Sequence, residues 1–344
     1  MKQHRYELTT YQLIDFAPFL SSSAPASTRA ATAKSVLTAF QQYGFLYITN
    51  HGISSSETKT AFQQSAAFFS QPLDAKNALA WDSPESNRGY SCMGQEKVTN
   101  VTDKDGVDDL RATNPDLKES YEIGRDGVPG MPNQWPQKDE ASLHAKNFQD
   151  DMKRFFDTCK QLHIAILRAI ASGLGIDEHW FDEYAQVGDN TLRLLHYPAV
   201  DRELFQRNKS QLRAGAHTDY GSLTLLFQDS RGGLQVQGLD GSTWVDAKPI
   251  PDTIVVNAGD LLARWSNDAI KSTLHRVVEP PMDHASNGDA PNVYPARYSI
   301  AYFCNPDFDK FIDVVPGTLN GQAKKYEGIN SGEYLVQRLA ATYS

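Results

Sequence analysis

Phe148, Met152, Phe155, Cys159, Leu162, Ile166 and Ile170 recur at steps of three and four, so they fall on one stripe of a helix. The pattern predicts a helix over about 143–172, ended by the glycines of "GLG" at 173–175. A stripe this apolar is a surface on which a sheet can pack. Upstream, "LIDFAPFL" (13–20) reads as a short strand or extended segment and "SSSAPAST" (21–28) as a turn. A helix over 29–43, a strand within "YGFLYITNHGI" (43–53) and a helix over about 55–70 follow. From 82 to 142 the periodicity dissolves into loop-rich sequence that includes the Pro/Gly-dense "GVPGMPNQWP". Irregular stretches of that length inside a globular chain often act as lids over a site.

After 190 the texture changes. "TLRLLHYP", "SLTLLFQD", "GLQVQ", "STWVDA", "TIVVNAG", "STLHRVVEP" and "ARYSIAYFCN" are short strand-like runs separated by Gly, Pro and Asp. Strands so spaced predict a sandwich or jelly roll, mostly β with flanking helices. "HASNGDAPNVYP" (284–295) reads as a loop, and "GINSGEYLVQRLAATYS" as a terminal helix. The chain thus divides into a helical and strand region with candidate active-site loops (1–142), then a long helix, the β core and a terminal helix (143–344). Together they are expected to form one catalytic unit.

Composition narrows the function. The chain has 344 residues, 40% of them hydrophobic, enough for a sizeable core. Its net charge of −9 argues against a polyanionic partner such as nucleic acid, which needs a basic face. Three widely spaced cysteines fit a reducing compartment. No apolar leader opens the sequence and no apolar run reaches membrane-spanning length. The expectation is a cytoplasmic protein, without a membrane partner, that works on a small molecule.

"RAGAHTDYGSLTLLFQD" (213–229) holds the candidate chemistry. In a strand, His217 and Asp219 share a face. A lone His-x-Asp also fits a surface turn, so a third residue matters. His275, in "STLHRVVEP", lies far enough on for several strands to intervene and return. Two imidazoles and one carboxylate form the facial set of non-haem Fe(II) oxygenases, with positions left open. Zinc in a hydrolase could use similar ligands. "PARYSIAYFCNP" then places Arg297, Ser299 and Phe303 on one face of a predicted strand. A guanidinium turned inward needs an anion, and its planar fork suits a carboxylate, with a serine hydroxyl adding a bond. One of the chain's own acids could also fill that role.

The ordered set "GFLYITNHGI", "DLKESYEIG", "HYP", "HTD", the later His and "RYS" resembles the isopenicillin N synthase-like family of Fe(II)/2-oxoglutarate dioxygenases, over roughly residues 12 to 340. The resemblance implies a double-stranded β-helix, or jelly roll, buttressed by helices. It implies Fe(II) on His217, Asp219 and His275. It further implies 2-oxoglutarate held by Arg297, Ser299 and Tyr197, O2 as second co-substrate, and oxidation of a substrate C–H with release of succinate and CO2. Two features depart from the family pattern: Leu195 stands where many relatives have Asn, and the step from His275 to Arg297 is longer than usual. The excess is read as a loop at 282–295 that leaves the strand register intact. Within the family, "NRGYS", "ESYEIGR", "LRLLHYPAV", "HTDYGS", "LLARWSND" and "GINSG" are similar to fungal thymine dioxygenases, and by that likeness Arg193, Tyr220 and Phe303 would line the substrate pocket. The same texture occurs in fungal tailoring oxygenases, which can desaturate or close rings instead.

Other conspicuous residues have plainer readings. His196, on the opposite strand face from Tyr197, and His163, mid-helix among apolar neighbours, are expected to pack structurally. His51 reads as a turn residue, and Trp265 and Phe227 as core. Asn87, Arg88 and Tyr90 could reach the substrate from the loop-rich region. Three classes stay open: an iron oxygenase, a zinc hydrolase, which gives Arg297 no role, and a non-catalytic binding module, which gives the metal set none.

Overall fold

The computed structural model describes residues 11–81, 87–95, 115–137, 147–209, 211–279, 292–319 and 321–343. Its centre is an eight-stranded sheet facing a four-stranded one. In spatial order the large sheet runs β1 (Leu13–Asp15), β2 (Phe45–Thr49), β11 (Thr253–Ala258), β8 (Leu223–Gln228), β14 (Arg297–Cys304), β5 (Thr191–Tyr197), β4 (Glu119–Gly124) and β3 (Gly89–Ser91). The small sheet runs β10 (Trp244–Asp246), β9 (Leu234–Gln237), β12 (His275–Val277) and β7 (Ala214–His217). Two short pairs, β6 (Val200–Asp201) with β13 (Val293–Tyr294) and β15 (Phe311–Ile312) with β16 (Ile329–Asn330), complete the strands among the described residues. This is the expected jelly-roll core, mostly β with helices on one side.

The long helix forms at Phe148–Leu174, and every residue of its apolar stripe is buried. Gly175, at φ 73°, takes the left-handed turn that ends it. The helix packs against the large sheet: Phe155 meets Phe227 at 5.1 Å between ring centroids, and Phe156 meets Tyr302 edge-on at 5.0 Å. Phe227 and Trp265 are both core residues, as expected. A second helix, Ala26–Tyr43, lies alongside, and a third, Ser55–Phe69, starts at a capping box between Ser54 and Glu57.

Several boundaries differ from the sequence reading. In 13–20 only Leu13–Asp15 is strand; Pro18 near the start of Ala17–Leu20 favours a short helix there. The loop-rich stretch contains two strands, β3 and β4, paired with each other, and β4 pairs in turn with β5. Residues 82–86, 96–114 and 138–142 of that stretch lie outside the described residues, as do 143–146 at the expected helix start. So do 282–291 of the expected 282–295 loop. Beyond it the register is intact: Arg297 pairs with Tyr197 and Ser299 with Leu195. Among the described residues no helix is long and apolar enough to cross a membrane.

Candidate metal and co-substrate site

A cavity lies between the two sheets. Phe45, Arg193, Leu195, Tyr197, Thr224, Asn257, Arg297, Ser299, Ala301 and Phe303 line it from the large sheet, and Ala214, His217, Leu234, His275 and Val277 from the small one. Its volume is about 70 Å³. A larger groove of about 560 Å³ runs past His51 and Asp252. Among the described residues, however, the only cluster of metal-ligating groups is in the smaller cavity, and chemistry rather than size selects it.

The cluster is His217, Asp219 and His275, each offering an atom within 4.8 Å of the others. Antiparallel pairing places His217 directly opposite His275, with ring centroids 4.2 Å apart. Both Nε2 atoms face Asp219 Oδ1, at 3.8 and 3.6 Å. His217 Nδ1 donates to the Gly215 carbonyl at 2.8 Å and His275 Nδ1 to the Thr273 carbonyl at 3.3 Å. A carbonyl can only accept, so these bonds put the protons on Nδ1 and leave the Nε2 lone pairs turned inward. Asp219 is arranged the same way. Its Oδ2 accepts from Thr224 Oγ1 at 2.5 Å and Asn257 Nδ2 at 2.7 Å, leaving Oδ1 for the centre.

Electrostatics keep His217 and Asp219 in ligand form. Burial, then the neighbouring His275 imidazole, lowers His217 to about 3, so it stays neutral at physiological pH. Burial pushes the Asp219 carboxyl up, but the two histidines and the bonds from Asn257 and Thr224 outweigh it and bring it below its usual range. Two imidazole Nε2 atoms and one carboxylate oxygen, meeting on one side of a point, fit a ferrous ion with open positions.

Arg297 supplies the second half of the site. It is 1% exposed, its Nε donates to the Gly232 carbonyl at 2.9 Å and its Nη1 to Ser299 Oγ at 3.1 Å. The guanidinium lies over the Tyr197 ring, 4.8 Å from its centroid. Among the described residues no carboxylate forms an ion pair with it. A buried cation without a counter-charge is costly, and a bound carboxylate relieves that cost. Arg213, which the sequence reading passed over, reinforces the demand. It is fully buried, its Nη2 donates to the Pro295 carbonyl at 3.2 Å, and its Nε and Nη1 find no partner among the described residues. Burial, then the nearby charge of Arg297, lowers it to about 10.

The chain matches known proteins along most of its length. Residues 12–138 match the family described as the N-terminal region of the non-haem dioxygenase in morphine synthesis, and 188–306 match the 2OG-Fe(II) oxygenase superfamily. It is 36% identical to the 2-oxoglutarate-Fe(II) type oxidoreductase ppzD of Metarhizium rileyi, over 96% of this chain and 90% of that protein. The chain belongs to the 2OG-Fe(II) oxygenase superfamily. It is also 35% identical to the proline hydroxylase buaE of Petromyces alliaceus, over 96% of this chain and 98% of that one. The structure of the Neurospora crassa thymine hydroxylase in complex with alpha-KG and thymine aligns with a TM-score of 0.87 at 52% identity, over 98% of both chains. The protein is therefore an Fe(II)- and 2-oxoglutarate-dependent oxygenase of small organic molecules, which sets aside the zinc hydrolase and the binding module.

Within this oxygenase the structure sorts the remaining residues. Arg193 and Phe303 line the cavity, with the guanidinium 5.2 Å from the Phe303 ring centroid. Glu122, one strand over, stands 2.7 Å from Arg193 Nε and accepts from Ser120 Oγ at 2.8 Å. Tyr220 was expected beside Arg193 and Phe303 but is not among the cavity-lining residues; the Arg338 guanidinium lies over its ring at 4.5 Å. Asn87, Arg88 and Tyr90 are not among them either, and Tyr90 instead bonds Glu119. His196 donates to Glu119 at 2.7 Å on the outer side, and His163 is buried, both structural as read. His51 sits in the Asn50–Ile53 turn, accepting from the Ile53 N–H. Lys118, also missed, lines the cavity from the residue before β4.

Proposed function

We propose that the protein hydroxylates thymine or a closely related pyrimidine, with His217, Asp219 and His275 holding Fe(II) and Arg297, Ser299 and Tyr197 holding the distal carboxylate of 2-oxoglutarate. The observation that carries the substrate is the 52% identity, across 98% of both chains, with the Neurospora enzyme solved bound to thymine. Phe303 and Arg193 support it: an aromatic face suits a planar ring, and a guanidinium braced by Glu122 can donate to a ring carbonyl. Bound Fe(II) and 2-oxoglutarate supply the oxidation, in which O2 is consumed, the co-substrate becomes succinate and CO2, and a substrate C–H becomes C–OH. The chain's own part is positioning. Asn257 and Thr224 fix Asp219, the two carbonyls fix the imidazoles, and Arg297 orients the co-substrate by its far end. The apolar walls, Phe45, Leu195, Leu226, Leu234, Val277 and Ala301, keep water from the reacting carbon. The large sheet takes strands from both 1–142 and 143–344, which supports reading the chain as one catalytic unit.

The test is substrate-dependent succinate release with Fe(II), 2-oxoglutarate and O2. Thymine should give one succinate per hydroxylated product. No turnover with thymine, but coupled turnover with a proline-containing or other secondary-metabolite intermediate, would replace the pyrimidine reading with that of a tailoring oxygenase like the curated relatives.

A further inference from the structure

The Asp219 turn is held from behind by a second carboxylate. Asp260 opens the short helix Asp260–Trp265, just after β11. Its backbone N–H donates to the Asp219 carbonyl at 2.7 Å. Its Oδ2 accepts at 2.9 Å from Thr218 Oγ1, between the two ligands of the turn. Its Oδ1 accepts at 2.6 Å from Ser272 Oγ, in the segment that leads into His275. One carboxylate thus touches both ligand-bearing segments. The close approach needs Gly259, where a Cβ would lie 2.3 Å from the Gly221 carbonyl oxygen and 3.0 Å from that of Asp219.

The same Oδ2 also accepts from Arg338 Nη2 at 2.6 Å. Arg338 belongs to the C-terminal helix Ser331–Tyr343, and it is the residue whose guanidinium covers Tyr220. Tyr334, one turn earlier on the same helix face, faces the same group: burial, then the Asp260 charge, pushes its hydroxyl up to about 12. The last helix therefore meets the metal-ligand turn through an ion pair and a ring contact.

The geometry points to Asp260 and Arg338 as positioning residues that couple docking of the C-terminal helix to the shape of the metal centre, a role that rests on the reading of His217, Asp219 and His275 as metal ligands. Arg338 balances the Asp260 charge and fixes its rotamer. Asp260 in turn fixes the Thr218 and Ser272 hydroxyls, and with them the approach of both ligand segments. Linkage then works in both directions: a docked helix favours metal binding, and bound metal favours the docked helix.

Full-length wild type, Arg338→Met, Arg338→Lys and Asp260→Asn titrated with Co(II), read by the visible d–d absorption, test this. Limited proteolysis of the C-terminal helix with and without Co(II) gives a second readout. Arg338→Met and Asp260→Asn should weaken Co(II) binding by about tenfold, the scale for groups that orient metal ligands, and Arg338→Lys should recover part of it. Co(II) should protect the helix in wild type and lose that effect in Arg338→Met. Wild-type affinity, spectrum and protection in Arg338→Met would overturn the coupling while leaving the metal site standing, and Arg338→Met decides if Asp260→Asn does not fold. A wild-type chain that takes up no Co(II) would overturn the metal reading and the coupling together.

Discussion

The two faces of β14 do different work. Ile300, Tyr302 and Cys304 point to the helices and are 0% exposed, packed in the main apolar core. Arg297, Ser299, Ala301 and Phe303, the alternate residues, point between the sheets and line the cavity. The pleat lets one strand be a core wall and a chemical wall at once. Removing apolar volume on the helix face should cost stability with little change in chemistry per folded molecule. Removing polar groups on the cavity face should cost binding with little change in folding. Substitutions on each side can break that separation.

The largest effect is expected at the centre of the cavity. Asp219→Ala removes the only carboxylate of the metal cluster, and substrate-dependent succinate release should fall to background while the far-UV circular dichroism stays that of wild type. On the opposite face, Ile300→Ala should lower unfolding free energy by about 2–5 kcal/mol, read by urea denaturation, with kcat per folded molecule unchanged. Back on the cavity face, Arg297→Met should raise the KM for 2-oxoglutarate by about thirtyfold or more, equivalent to about 2 kcal/mol of lost charge-assisted bonding. The ligand-free Tm of that variant should not fall, because the substitution removes a buried charge that has no carboxylate partner among the described residues.

The helix side also has a pH signature. Burial, then the charge of Lys160, holds His163 down at about 3, against 6.5 for the free group. Below pH 6.5 the unfolded chain takes a proton there that the folded chain refuses. This residue therefore lowers stability as pH falls from 6.5 toward 3, by about 1.4 kcal/mol per pH unit. His163→Leu should flatten that part of the acid limb in denaturation curves without altering the KM for 2-oxoglutarate. The smallest effect belongs to Ser299→Ala, which loses one hydrogen bond and should raise that KM by about three- to tenfold.

Much of this arrangement was legible in the sequence. The stripe on the long helix and the alternation in "RYSIAYFC" follow the two periodicities that burial imposes, and they located both walls of the core. The metal set was legible as three residues in a known order, yet the strand-parity argument for Asp219 fails in detail. β7 ends at His217, and Asp219 lies in the following turn, aimed by Asn257 and Thr224 rather than by the pleat. β3 and β4 were hidden because polar groups sit on both sides of β4. Ser120 and Glu122 pair with Leu195 and Arg193, and Glu119 is buried against Lys76, Tyr90 and His196, so the apolar alternation shrinks to Tyr121 and Ile123, too short to mark the strand. The Glu122 partner of Arg193, the second arginine at 213 and the cover that Arg338 places on Tyr220 all depend on contacts between distant segments. No local pattern announces such contacts.

The central claim is that the cavity face binds Fe(II) and 2-oxoglutarate as one unit, with iron on His217, Asp219 and His275 and the co-substrate's far carboxylate on Arg297. Anaerobic titration of the iron-loaded chain with 2-oxoglutarate, followed through the weak visible charge-transfer band, tests it directly. The band should saturate at one equivalent in wild type, need about thirtyfold more 2-oxoglutarate in Arg297→Met, and be missing in Asp219→Ala. A wild-type chain without the band, or one equally strong in all three proteins at the same 2-oxoglutarate concentration, would contradict it.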